Sequence, residues 1–161
     1  MDIAMELLLI GLLLLVFIQD MKFRAIHIAL PVVISILGLY VFIENNFDKS
    51  ILFYNGLFLV ITLLGLYLYL SVKNRKLTNP FNSIGKGDIL FFVAIIPYFS
   101  TANYILYFIT GMLFSILMFF IIKLKTRTNL VPLAGLLAFY MILLKGVFYA
   151  VDLNFFETKL I

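Results

Sequence analysis

Ile51–Val72 reads ILFYNGLFLVITLLGLYLYLSV, 22 residues without a charged side chain. About 20 helical residues cross a hydrocarbon core of ~30 Å, so this stretch is long enough to span a bilayer. Similar runs lie on either side of it. Upstream are Ala4–Ile18 and Ile28–Ile43; downstream, after the polar segment Lys73–Gly87, come Asp88–Phe99, Tyr104–Ile122 and Leu130–Val151. The fourth run is short, even if it starts at Ile84, and is expected either to thin the bilayer locally or to be shielded by its neighbours. Repeated apolar runs joined by short polar loops predict an all-α polytopic membrane protein with six transmembrane helices. A single membrane-embedded domain is expected over 1–161.

Composition agrees with that class. Of 161 residues, 65% are hydrophobic and 12% charged, and the mean hydropathy is +1.17. A soluble domain would be about half apolar and a quarter charged. The net charge of +4 is a topology signal and does not indicate nucleic-acid binding. Lys22, Arg24, Lys73, Arg75, Lys76, Lys86, Lys123, Lys125 and Arg127 account for nine of the 12 basic residues and follow the first, third and fifth runs. By the positive-inside rule those loops are cytoplasmic and both termini lie outside. The first run carries Asp2 and Glu6 at its N-terminal end, where a signal peptide carries Lys or Arg, and no small-residue cleavage site follows it, so a retained helix is expected rather than a signal peptide. No Cys and one His leave no disulfide and no Cys- or His-rich metal site. No cofactor is called for. Tyr40, Tyr54, Tyr98 and Tyr104 are expected in an interfacial belt, and Lys145 is expected to snorkel outward from the sixth run. Pro31 and Pro132 fall in first turns, where a missing N–H matters little.

The acids divide unevenly. Asp2, Glu6, Glu44, Asp48, Asp152 and Glu157 fall at the termini or near 44–50, while Asp20 and Asp88 stand among the basic loops, each beside an apolar run. A carboxylate at the membrane edge is costly unless paired, hydrogen-bonded or used. Two of them on one side point to a shared site. Carboxylates a few Å apart cannot easily both ionise and so share a proton. One can then activate water while the other acts as acid on a carbonyl. Asp20 closes a predicted helix and Asp88 opens one, so the helix dipoles tilt the charge slightly toward Asp88. Gly85 and Gly87, just before Asp88, permit positive φ and close backbone approach. Lys73–Gly87 is expected to be a mobile loop.

At these residues the chain resembles a known family. Gly85-Lys86-Gly87-Asp88 matches the GxGD signature of intramembrane aspartyl proteases. Asp20-Met21-Lys22-Phe23-Arg24-Ala25-Ile26 is similar to the D-x-[KR]-x-R-x-I-P-N segment of type IV prepilin peptidases, and Val131-Pro132-Leu133-Ala134 resembles their Pro-rich last segment. The resemblance implies a membrane aspartyl endopeptidase that cuts the short basic leader from type IV pilin-like (prepilin or pseudopilin) precursors. It places the cut at the cytoplasmic face of the cell inner membrane, after a Gly and before an apolar helix. Asp20 and Asp88 are the implied catalytic pair, and Gly85 and Gly87 the implied substrate-binding loop. Presenilin-type proteases match less well, because Gln19-Asp20 does not supply their Tyr-Asp motif.

The chain also departs from that pattern. His27-Ile28 stands where the family has Pro-Asn, and Leu90 stands where Lys is frequent. The Cys-rich cytoplasmic domain of the larger members is missing, so N-methylation of the product is not expected. These departures bear on substrate positioning more than on the aspartates. The alternative class is a non-enzymatic membrane subunit that binds pilin-like helices, or a small transporter. A transporter places polar groups near the midplane, whereas these runs are apolar at their centres. In the plainest reading Asp20 and Asp88 pair with Lys22, Arg24 or Lys86, and His27 is an interfacial polar residue. The oligomeric state is left open.

Overall fold

The computed structural model describes residues 3–74, 85–125 and 131–150. Residues 75–84, with Arg75 and Lys76, together with Arg127, Asp2, Asp152, Glu157 and Lys159, lie outside the described residues. Among the described residues there is no strand. The helices are α1 (Ile3–Phe23), α2 (Ala29–Glu44), α3 (Ser50–Asn74), α4 (Lys86–Ala94), α5 (Thr101–Lys125) and α6 (Leu133–Ala150), with a 3-10 turn at Ile96–Tyr98. Three of them, α1, α3 and α5, are long and apolar enough to cross a membrane, and α2 and α6 are shorter apolar helices.

α1 continues past its expected end at Ile18 and closes at Phe23, so Asp20 lies inside the helix. Leu9, Leu13 and Val16 are fully buried, and Asp20, at 4% exposure, continues the same stripe. That spacing puts the four on one helical face. α1 packs most extensively on α6. Arg24 ends α1 with a positive φ of 55°, and its N–H donates to Asp20 O at 2.9 Å. The turn that follows is tied back when the His27 N–H donates to Gln19 Oε1 at 2.9 Å. His27 Nδ1 accepts the Ala29 N–H at 3.3 Å, at the start of α2.

α4 is the short element. Its nine residues rise ~13.5 Å, less than half of a hydrocarbon core. Phe91, Phe92, Ala94 and Ile95 are buried, and α2, α3 and α6 pack around the segment. The short run is therefore shielded by its neighbours, one of the two expected solutions. Beyond it the chain breaks into the 3-10 turn and an extended Phe99. Backbone that leaves a helix in an apolar setting must find internal partners. Asn55 of α3 supplies them: its Nδ2 donates to Phe99 O at 2.9 Å and to Ile96 O at 3.3 Å.

Two of the four tyrosines expected at an interface are buried instead. Tyr98 Oη donates to Ile34 O at 2.9 Å, and its ring lies so close to Gly38 that a Cβ there would stand 2.6 Å from a ring carbon. Tyr104 Oη donates to Phe92 O at 3.1 Å. A phenol whose hydroxyl reaches a carbonyl can bury its ring, which is why these two leave the belt. Tyr40 and Tyr54 are exposed. At the start of α1, Lys145 Nζ stands 3.6 Å from Glu6 Oε1 and joins α6 to α1.

Candidate functional site

The start of α6 collects both aspartates. Asp88 Oδ1 accepts the Ala134 N–H at 2.9 Å, and Asp20 Oδ2 accepts the Gly135 N–H at 2.7 Å. Two consecutive backbone donors thus hold carboxylates that come from helices far apart in sequence. The first N–H groups of a helix have no partner within it, and the macrodipole favours negative charge there. The start of α6 acts on both carboxylates alike. The two are close enough to interact electrostatically.

Asp20 reaches the site because α1 runs on past Ile18 with its buried stripe unbroken. Close approach of α6 completes the arrangement. A Cβ on Gly135 would lie 2.9 Å from Asp20 Cβ and 3.3 Å from Phe17 O, so only glycine admits this contact without a shift. Asp88 sits in the first turn of α4, with its N–H donating to Gly85 O at 3.0 Å.

Gly85 and Gly87 act by close approach, since no glycine among the described residues has positive φ. Gly85 has φ −59°; a Cβ there would stand 2.8 Å from Asp88 Oδ2. A Cβ on Gly87 would meet Ile26 at 3.4 Å, so the segment after α1 packs on the loop before α4. The left-handed conformation falls instead to Arg24, an uncommon choice for a residue with a side chain.

Asp20, Asp88, Gly85 and Gly87 line one cavity of about 960 Å³, together with Arg24 and Lys86. That lies at the upper end of the ~300–1,000 Å³ common for ligand pockets. The plain reading, in which basic neighbours pair with these acids, holds in part: Arg24 acts on Asp20 through its charge. The hydrogen bonds to both carboxylates, however, come from backbone N–H groups. Lys22 lies over the Phe23 ring, 5.1 Å from its centroid. Among the described residues no three of His, Cys, Asp and Glu converge as a metal-binding group.

Two contributors are absent from the site expected from sequence. Gly135 carries no motif letter; its signal is a small residue at a helix start, beside Ala134. Ser115 of α5 lines the same cavity and is 1% exposed. No family model matches the chain, and no curated protein or solved structure is found to be similar to it.

Proposed function

We propose that the chain is a membrane aspartyl endopeptidase of the prepilin-peptidase type, with Asp20 and Asp88 as its catalytic pair. One observation carries the reading: two carboxylates from separate helices meet on consecutive N–H groups of a third helix, at the wall of one cavity. A cavity lined by two acids and by Arg24 and Lys86 suits chemistry better than packing. The sequence resemblance then supplies the substrate class, pilin-like precursors with a short basic leader followed by an apolar helix.

In this reading the chain crosses the inner membrane six times with both termini outside, as the loop charges require. The cavity opens at the cytoplasmic face. The precursor helix lies among the spans while its leader stays in the cytoplasm. The junction unwinds over Gly85–Gly87, because helical backbone shields its carbonyls.

The pair shares one proton. The ionised carboxylate takes a proton from water, whose oxygen attacks the scissile carbonyl carbon. The protonated partner gives its proton to the carbonyl oxygen. Collapse of the tetrahedral intermediate breaks the C–N bond, and a proton passes to the leaving amine. The Ala134 and Gly135 N–H groups fix one oxygen of each carboxylate, and the Gly85 backbone adds a second hydrogen bond to Asp88. No covalent intermediate forms in this scheme.

The test is a cleavage assay in detergent or liposomes with a pilin-like precursor, the product N-terminus being read by mass spectrometry. A single cut at the leader–helix junction is expected, lost in both Asp20→Asn and Asp88→Asn while each variant stays folded. Binding of such precursors without any cut would make the chain a binding subunit and overturn the proposal.

A further inference from the structure

Ser115 carries a hydroxyl that no described residue uses. Serine and threonine in apolar helices commonly hydrogen-bond the carbonyl four residues back. Thr62 Oγ1 does so to Phe58 O at 2.8 Å, and Thr110 Oγ1 does so to Leu106 O at 2.6 Å. Ser71, Ser100 and Ser115 differ: each buries an Oγ that finds no partner among the described residues, and of the three only Ser115 lines the cavity. A buried hydroxyl without a partner is destabilising, so its place needs a reason.

Its surroundings supply one. The cavity wall contributed by α5 is Met112, Ser115, Ile116, Phe119 and Phe120, spaced as one helical face. Ser115 is the single polar side chain in that stripe, and the aspartates lie on other elements of the same cavity. A peptide unwound for cleavage brings bare N–H and C=O groups into this apolar space, where each lacks water. Serine offers one donor and two acceptor lone pairs.

We propose that Ser115 Oγ hydrogen-bonds the backbone of the unwound peptide segment and seats it between α5 and the two aspartates. The inference rests on the peptidase reading and adds a substrate-positioning residue to it. The Ser115 side chain, buried as it stands, turns into the cavity to touch the peptide and takes no part in proton transfer. The hydroxyl without a partner among the described residues is thus held for the substrate.

Stability and function are then expected to separate. Full-length protein in detergent would be given a synthetic peptide with a basic leader, a Gly and about 20 apolar residues. KM, kcat and the thermal midpoint would be compared for wild type, Ser115→Ala, Ser115→Thr and Ser115→Val. Thr and Val share a shape and differ in the hydroxyl, so that pair removes packing from the comparison. Ala and Val are expected to raise KM about 2- to 10-fold, the range of one hydrogen bond. Thr should stay closer to wild type than Val, kcat should change less than KM, and the midpoint of Ala should not fall. Cleavage by Ala and Val with wild-type KM would overturn this inference alone. A wild type inert on every such peptide would overturn the peptidase reading and this inference with it.

Discussion

Two sets of polar side chains in this apolar bundle do opposite work. Beyond α4, Asn55, Tyr98 and Tyr104 donate to backbone carbonyls. At the start of α6 the direction reverses, and backbone N–H groups donate to Asp20 and Asp88. The first arrangement satisfies carbonyls around a broken backbone, although Asn55 Oδ1 and Ser100 Oγ find no partner among the described residues. The second fixes one oxygen of each carboxylate beside a cavity. In the proposed reading one region serves stability and the other chemistry, although both bury polar atoms in the same core.

Substitutions can break that contrast or sharpen it. The largest loss of stability is expected at Asn55→Leu, which keeps the volume but removes both donated bonds. Unsatisfied buried groups cost about 1–3 kcal/mol each, so denaturation should show a clear drop, with activity falling only as far as folded protein is lost. Gly135→Ala comes next. Its Cβ would meet Asp20 Cβ and the Phe17 carbonyl, neither of which can swing aside, so overpacking of about 1–3 kcal/mol is expected. Activity should fall further than stability does, up to about 10²-fold for a displaced catalytic group.

Gly85→Ala sharpens the comparison. Its Cβ meets only the end of the Asp88 side chain, which can rotate. The thermal midpoint should hold while turnover falls, and a loss of stability equal to that of Gly135→Ala would blur the distinction.

The smallest effect is expected away from both regions, at Asp48 before α3. Its Oδ1 accepts the Ser50 N–H at 3.0 Å, and this bond holds the carboxyl below its ordinary value of 3.8. A depressed folded pKa means that the contribution is complete above that ordinary value and is lost as pH falls through the lower folded one. Asp48→Asn should therefore differ from wild type in the acid dependence of the thermal midpoint. Parallel midpoints from neutral to acid pH would refute the cap.

Much of this architecture is legible in the chain before folding, because apolar runs report helices directly. The break after α4 is not, since Asp88–Phe99 reads as one apolar segment. Pro97 hints at an end, but the carbonyls it helps expose are answered by Asn55, distant in sequence. The tyrosines show a related gap: nothing local tells Tyr98 and Tyr104, which bury their rings, from the exposed Tyr40 and Tyr54. Asp20 and Asp88 stood out because acids among basic loops need a reason. Their meeting point did not, because the donors at Ala134 and Gly135 are main-chain groups with no letter of their own. Ser115 was silent for a similar reason, as a lone serine in an apolar helix is expected to bond its own backbone.

The central claim is that Asp20 and Asp88 act as one unit. It is tested most directly by the residual turnover of Asp20→Asn, Asp88→Asn and the double variant on one pilin-like precursor. Groups that work together lose rate together, so each single variant should fall to background and the double should fall no lower. A single variant that still cuts, with the double falling further, would contradict the claim.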